Sequence, residues 1–147
     1  MPKVTKTVSK YSKPRSTKGL AQFAAKCADE KLAKGIVILD LTTIESAPTD
    51  FFVVCACDSD AQIRAVVSEV INNCSKIGAK KPKVEGLDSS SWVIMDFFDV
   101  MLHIMLQKTR DFYKLEKLWS DAAFTTISEE AKFKAFKSKD INTLYQS

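Results

Sequence analysis

Three observations predict an α/β fold for this chain, a mixed β-sheet of about five strands packed with helices. Apolar runs of strand length occur at 36–41 (IVILDL), 51–57 (FFVVCAC), 92–97 (WVIMDF) and 100–106 (VMLHIML). Between them lie segments whose apolar residues recur at helical spacing. The resulting order, α-β-β-α-(β)-β-β-α, mixes the two kinds of element throughout.

The first helix is expected over about 17–33. Leu20, Phe23, Ala24, Cys27 and Ala28 share one face, and Lys34-Gly35 supplies a basic last turn and a glycine stop. IVILDL follows, apolar on both faces as a sheet centre requires. The Ser46-Ala47-Pro48-Thr49-Asp50 stretch turns the chain into FFVVCAC, a second buried strand. Ser59 and Gln62 then form a capping-box pattern, with Asp60 at the positive end of the helix dipole. Ile63, Val66, Val67, Val70, Ile71, Cys74 and Ile77 step along one face of this helix, and Gly78 ends it. Lys83–Gly86 adds a short edge strand.

Only Phe98 and Asp99 separate the next two strands, which is hairpin spacing. An aromatic helix follows, with Phe112, Leu115 and Trp119 as its core stripe. Arg110, Tyr113, Glu116 and Lys117 are expected to point away from that stripe. Beyond Ser120 the pattern weakens, and Glu129-Glu130 with Lys132, Lys134 and Lys137 suggests a short surface helix. The expected organisation is thus a basic flexible tail (1–19), an α/β domain (20–119) and a C-terminal extension (120–147).

Apolar residues make up 46% of the 147, enough for a core and too many for wholesale disorder. No apolar run approaches the roughly 20 residues a membrane helix needs, and no secretory signal opens the chain, so no membrane partner is expected. Cys27, Cys55, Cys57 and Cys74 sit inside apolar-periodic segments, which fits buried, reduced thiols and a cytoplasmic setting. The net charge of +4 is unevenly spread. Residues 1–19 carry Lys3, Lys6, Lys10, Lys13, Arg15 and Lys18 without an acid, so residues 20–147 sum to −2. A basic arm on a slightly acidic body fits nonspecific attraction to an RNA or DNA surface, with Lys6, Lys10, Lys13, Arg15 and Lys18 as the contacting residues. A solvated terminus and an organelle transit peptide stay open as alternatives.

Catalytic constellations are poorly formed. Asp96 and Asp99 are the one carboxylate pair with hairpin spacing, a pattern that also serves divalent metals or acid–base chemistry. Strand alternation sets Trp92, Ile94 and Asp96 on one face, with Asp96 expected beside Trp92 at the hairpin end. Asp99 falls in the turn, where Asp is favoured for backbone reasons alone. His103 is the only histidine, and Cys55-x-Cys57 lacks further ligands nearby, so neither a zinc site nor a Cys–His nucleophile is built. Gly19, Gly35, Gly78 and Gly86 are too dispersed for a phosphate loop. No cofactor is expected. Trp92, which follows the polar Asp88-Ser89-Ser90-Ser91 loop, joins Arg110 and Tyr113 as residue types enriched at protein–protein hot spots.

The order VEG, Trp, Asp-x-x-Asp, x-His, then R-x-x-Y-x-L-E-x-L-W resembles the ribosomal silencing factor family, also called Iojap-related proteins. The resemblance covers about residues 20–119. Its matching residues are Asp40, Asp50, Ser59, Gln62, Glu85, Gly86, Trp92, Asp96, Asp99, His103, Arg110, Tyr113, Leu115, Glu116, Leu118 and Trp119. It implies a nucleotidyltransferase-like fold lacking the catalytic metal-binding residues, and a translation repressor rather than an enzyme. Such a repressor binds the large ribosomal subunit through ribosomal protein fourteen and blocks joining of the small subunit. On this resemblance the partner-binding set is Trp92, Asp96, Asp99, His103, Arg110, Tyr113 and Glu116, with ribosomal RNA as a second contact for the tail. Organelle relatives imply an alternative role in large-subunit assembly, a homodimer of the free protein stays open, and a metal-dependent nucleotidyltransferase-like enzyme is the remaining alternative. Two positions depart from the family pattern. Phe98 stands where the hairpin usually has glycine, so an altered turn is expected, because a bulky residue disfavours positive φ. Ala56-Cys57 replaces a Thr-Gly before the capped helix.

Overall fold

The computed structural model describes residues 11–89 and 91–146. Along the chain run α1 (Thr17–Glu30), β1 (Lys34–Asp40), β2 (Phe51–Cys57), α2 (Asp60–Ile77), β3 (Lys83–Glu85), β4 (Trp92–Asp96) and β5 (Val100–Leu106). Then come α3 (Gln107–Tyr113), α4 (Leu115–Leu118), β6 (Ala123–Ile127), β7 (Phe133–Phe136) and a 3-10 helix, Ser138–Leu144. Among the described residues the strands form one sheet of seven, ordered β3-β4-β5-β2-β1-β6-β7. Only β2 and β5 pair in parallel; the other neighbours are antiparallel. The mixed α/β class and all five expected strands are present, and β6 and β7 add two more.

α1 starts where Ser16 Oγ accepts the Gly19 N–H at 3.0 Å. α2 starts where Ser59 Oγ accepts the Gln62 N–H at 3.1 Å, and it ends at Gly78 with φ 70°. Each bond satisfies one of the donors a helix leaves unpaired at its start. The Gln62 side chain returns to the Asp58 N–H at 2.7 Å, one residue before the cap. α1 stops at Glu30, short of the expected 33, and Leu32 (φ 65°) carries the chain out of it. Gly35 is no helix stop. It lies in β1 with φ 57°, and a Cβ there would sit 2.7 Å from Arg110 Nη1. Glycine is needed because a guanidinium occupies the space a side chain would take.

The sheet has two apolar faces. α1 and α2 cover one, packing Phe23, Cys27, Val66 and Cys74 onto Val53, Cys55, Met95 and Leu102. On the other, Val37, Leu39, Phe52, Val54 and Met105 meet Leu115, Ile141 and Leu144 from the C-terminal third of the chain. All four cysteines are free and buried. Phe124 of β6 stands opposite Leu39 of central strand β1, so the sheet continues past residue 119.

The expected surface helix near Glu129 is absent. Residues 128–132 instead turn between β6 and β7, with Ser128 Oγ accepting the Glu130 and Lys132 N–H groups at 3.3 Å each. The aromatic helix is also divided. Lys114 (φ 45°) separates α3 from α4, leaving Phe112 79% exposed and Leu115 buried, so the continuous Phe112/Leu115/Trp119 stripe does not form. Arg110 and Glu116, expected to face outward, are fully buried. Residues Tyr11–Ser16, read as part of a flexible tail, hold positions beside α1, and the Tyr11 ring stands edge-on to Phe23 at 5.3 Å. Lys6 and Lys10 lie outside the described residues.

Candidate partner-docking surface

Alternation along β4 buries Val93 and Met95 beneath the long helices and turns Trp92, Ile94 and Asp96 to the opposite face, where all three are half-buried. There Ile94 pairs with His103, Asp96 with Met101, and Trp92 with Met105 of β5. The C-terminal elements cover the β1 and β2 portion of this face and leave its β3–β4 end open. The open end is the candidate surface.

At one end Trp92 packs against Tyr113, centroids 4.9 Å apart, and Tyr113 against Phe112, also at 4.9 Å. With Ile94, Lys108 and Gly86 they line a shallow depression of about 720 Å³. Gly86 (φ 94°) lets the chain pass directly over Trp92, because a Cβ there would collide with the Trp92 carbonyl oxygen. The VEG and Trp motifs are thus parts of one contact.

Beneath the depression, Trp92 Nε1–H donates to His103 Nδ1 at 3.1 Å. Phe52 closes over the imidazole edge-on, centroids 4.5 Å apart. With Nδ1 accepting, the ring proton sits on Nε2, which is buried with no hydrogen-bond partner. Burial pushes the imidazole pKa down to about 4, so the ring is neutral at pH 7. His103 supports Trp92 from below and does not reach the surface.

At the other end stand Asp96, Asp99, Glu45 and Asp50, around the 41–50 loop and the hairpin. Trp92 and Asp96 share a face, yet they mark opposite ends of β4, separated by four residues or roughly 13 Å. The expectation that they emerge side by side is corrected accordingly. Asp96 Oδ1 accepts the Phe98 N–H at 2.7 Å, and Thr49 Oγ1 donates to the Phe98 carbonyl at 2.8 Å. These bonds hold Phe98 at φ 80°. The departure from glycine therefore leaves the hairpin with a positive φ after all, with the Phe98 ring exposed. Ala56 and Cys57, the second departure, both remain in β2, paired with Met105 and Leu106.

Arg110 and Glu116 belong under the surface. Arg110 Nε donates to Glu116 Oε2 at 3.0 Å, and Nη2 lies 2.9 Å from the same oxygen as an ion-pair contact. Tyr145 O–H donates to Glu116 Oε1 at 2.6 Å, and Nη1 reaches the Lys34 carbonyl at 3.4 Å. The pair ties α3, α4, β1 and the C-terminal segment together. Of the expected partner-binding set, Trp92, Tyr113, Asp96 and Asp99 thus line the open face, while His103, Arg110 and Glu116 lie beneath it. Phe112, which helical spacing assigns to the core, lines the same depression as Trp92 and Tyr113. Among the described residues no group of three or more His, Cys, Asp or Glu is placed to hold a metal ion.

Comparison with known proteins matches residues 14–145 to the family described as "Ribosomal silencing factor during starvation". The chain is 37% identical over 110 residues to the ribosomal silencing factor of Bacillus subtilis, covering 75% of this chain and 92% of that one. It is 32% identical over 92 residues to the mouse protein named "Mitochondrial assembly of ribosomal large subunit protein 1", covering 58% of this chain and 40% of that one. A crystal structure of a Chromobacterium violaceum protein superposes with a TM-score of 0.65 at 29% identity, covering 71% of this chain and 86% of that one. A match over nearly the whole described length, joined to the VEG–Trp contact and the Arg–Glu pair that the motif residues build, places this chain in the ribosomal silencing factor family.

Proposed function

We propose that the protein is a non-enzymatic translation repressor that docks on the large ribosomal subunit through ribosomal protein fourteen and sterically blocks joining of the small subunit. The observation that carries this reading is the uncovered β3–β4 end of the sheet. Its Trp92–Tyr113–Phe112 cluster supplies apolar anchors, and Asp96, Asp99, Glu45 and Asp50 supply an acidic flank. Exposed aromatics clustered in a depression are the usual anchors of a protein interface. The acids suit a basic ribosomal-protein surface. The docking surface lies within residues 20–119, and the lysine-rich N-terminal residues, up to Lys18 at the start of α1, contact ribosomal RNA. The setting is the cytoplasm; no helix among the described residues is long and apolar enough to cross a membrane.

A role in large-subunit assembly is the second reading, favoured by the name of the mouse relative. Sedimentation of ribosomal subunits with added protein tests the leading proposal. The protein is expected to migrate with the large subunit and to reduce the joined fraction. Protein left at the top of the gradient, with joining unaffected, overturns it.

A further inference from the structure

A second surface lies beside the hairpin tip, where the start of α1 approaches the loop between α2 and β3. Lys13 and Arg15 precede the α1 N-terminus, Lys80 and Lys81 lie on the facing loop, and Lys83 opens β3; together they line a cleft of about 590 Å³. All five are exposed. Lys83 has Glu85 at 3.7 Å. Asp96 is the one acid lining the cleft, and its Oδ1 is held by the Phe98 N–H. The Phe98 ring, 83% exposed, lines both this cleft and the acidic flank beside it.

Two independent features meet there. The first is a meeting of two arm cations, Lys13 and Arg15, with Lys80, Lys81 and Lys83 from a body whose residues 20–147 are net acidic. The second is an aromatic ring held in solvent by a backbone conformation that a bulky residue adopts only at a cost. Burial does not explain that ring, because it contributes almost nothing to either core. Cations track a phosphate backbone, and an exposed ring gives an unpaired base a face to stack on. Duplex RNA keeps its bases stacked inside, so a ring on this surface distinguishes single strands from duplexes.

We propose that this cleft binds single-stranded RNA, with Lys13, Arg15, Lys80 and Lys81 on phosphates and Phe98 stacked on one base. The site joins Lys13 and Arg15 of the basic arm to Lys80, Lys81 and Phe98 of the folded body, and it rests on the ribosomal reading only for where the RNA comes from. A molecule held at the open face by a protein and at this cleft by a strand is oriented as well as attached.

The test uses the full chain and a fluorescently labelled single-stranded RNA of mixed sequence, about 12 nucleotides long, read by anisotropy between about 50 and 200 mM salt. The double variant Lys80→Glu, Lys81→Glu should lower the magnitude of the log–log salt slope by about 1.4, since each lost phosphate contact on a single strand removes about 0.7. Phe98→Gly should weaken binding roughly 5- to 150-fold while its thermal melt shows an intact fold. Unchanged slope and affinity in these variants overturn the proposal. Equal affinity for a duplex, with no effect of Phe98→Gly, overturns the stacking assignment. Polyglutamate of the same length binding as tightly as RNA also overturns it, in favour of an acidic protein segment. Because the probe is free RNA, these results stand apart from sedimentation with ribosomal subunits: loss of one with retention of the other shows which reading fails.

Discussion

The indole N–H of Trp92 donates to Nδ1 of His103, 3.1 Å away, and so joins a residue of the open face to the interior of the sheet. The bond fixes the imidazole tautomer and restricts the indole that forms the floor of the aromatic depression. A docking aromatic held in one rotamer before the partner arrives loses less side-chain freedom on binding. Trp92 and His103 both fall in the family motif, yet only the first reaches the surface.

Burial of that imidazole makes stability depend on pH. The buried imidazole titrates near 4 in the folded chain, against about 6.5 when exposed. Between these values the unfolded chain binds more protons, so stability rises with pH across the window. The His103 contribution is intact above about 6.5 and is lost as pH falls toward 4, at most about 3 kcal/mol. Urea denaturation at several pH values checks it against His103→Gln, which should show a shallower acid loss. Identical pH profiles in the two proteins would contradict the assignment.

Arg110 and Glu116 should behave as structural residues. Glu116→Ala leaves a guanidinium buried without its carboxylate and the Tyr145 hydroxyl without its acceptor. Removing one partner of a buried pair costs about 3–5 kcal/mol. The denaturation midpoint should fall sharply, while variant that remains folded retains ribosome affinity. A stable Glu116→Ala that fails to bind would return the pair to the interface.

Local signals made much of this fold readable. α2 carries its own cap, apolar face and glycine stop, and the β4–β5 hairpin is bounded by two residues between apolar runs. Signals that depend on distant partners were not readable. Lys114 adopts φ 45° without being Gly or Asn, so nothing in its type announces the break between α3 and α4. Arg110 and Glu116, six residues apart, would stand roughly 120° apart around a continuous helix and about 9 Å apart along it. Only the break lets them meet. Gly35 resembles a helix stop in sequence, while its actual reason is a guanidinium 75 residues later. At the candidate surface, residue type singles out Trp92 and Tyr113, which line the depression, whereas helical spacing assigns Phe112 to the core because its exposure follows from the same break.

Phe98 should be dispensable for folding. Its φ of 80° is a region glycine enters freely and a bulky residue enters at a cost of order 1–3 kcal/mol. Glycine's greater freedom in the unfolded chain offsets part of that gain, by roughly 0.5–1 kcal/mol. Phe98→Gly is therefore expected to melt at or above the temperature of the parent protein. A clear fall in melting temperature would mean that the ring contributes packing the structure does not show.

The two tryptophans should separate binding from folding. Trp119 packs edge-on to Phe52 at 6.0 Å within the second core, so Trp119→Ala should cost about 3 kcal/mol, the lower end for a large aromatic because the ring is half-buried. Trp92→Ala should cost less stability, since one side of the ring already faces the depression. It should lose at least about 2 kcal/mol of affinity for the large subunit, as a hot-spot truncation does. Phe112→Ala should change stability by no more than about 0.5 kcal/mol, because the ring is 79% exposed. It should still weaken binding, since Phe112 walls the same depression. Asp96→Lys should weaken binding as well, by placing a cation on the acidic flank. Chemical denaturation and quantitative co-sedimentation together decide the assignment. Normal binding by both Trp92→Ala and Phe112→Ala, alongside a folded Trp119→Ala that cannot bind, would move the partner-facing surface from the open sheet to the α4 side.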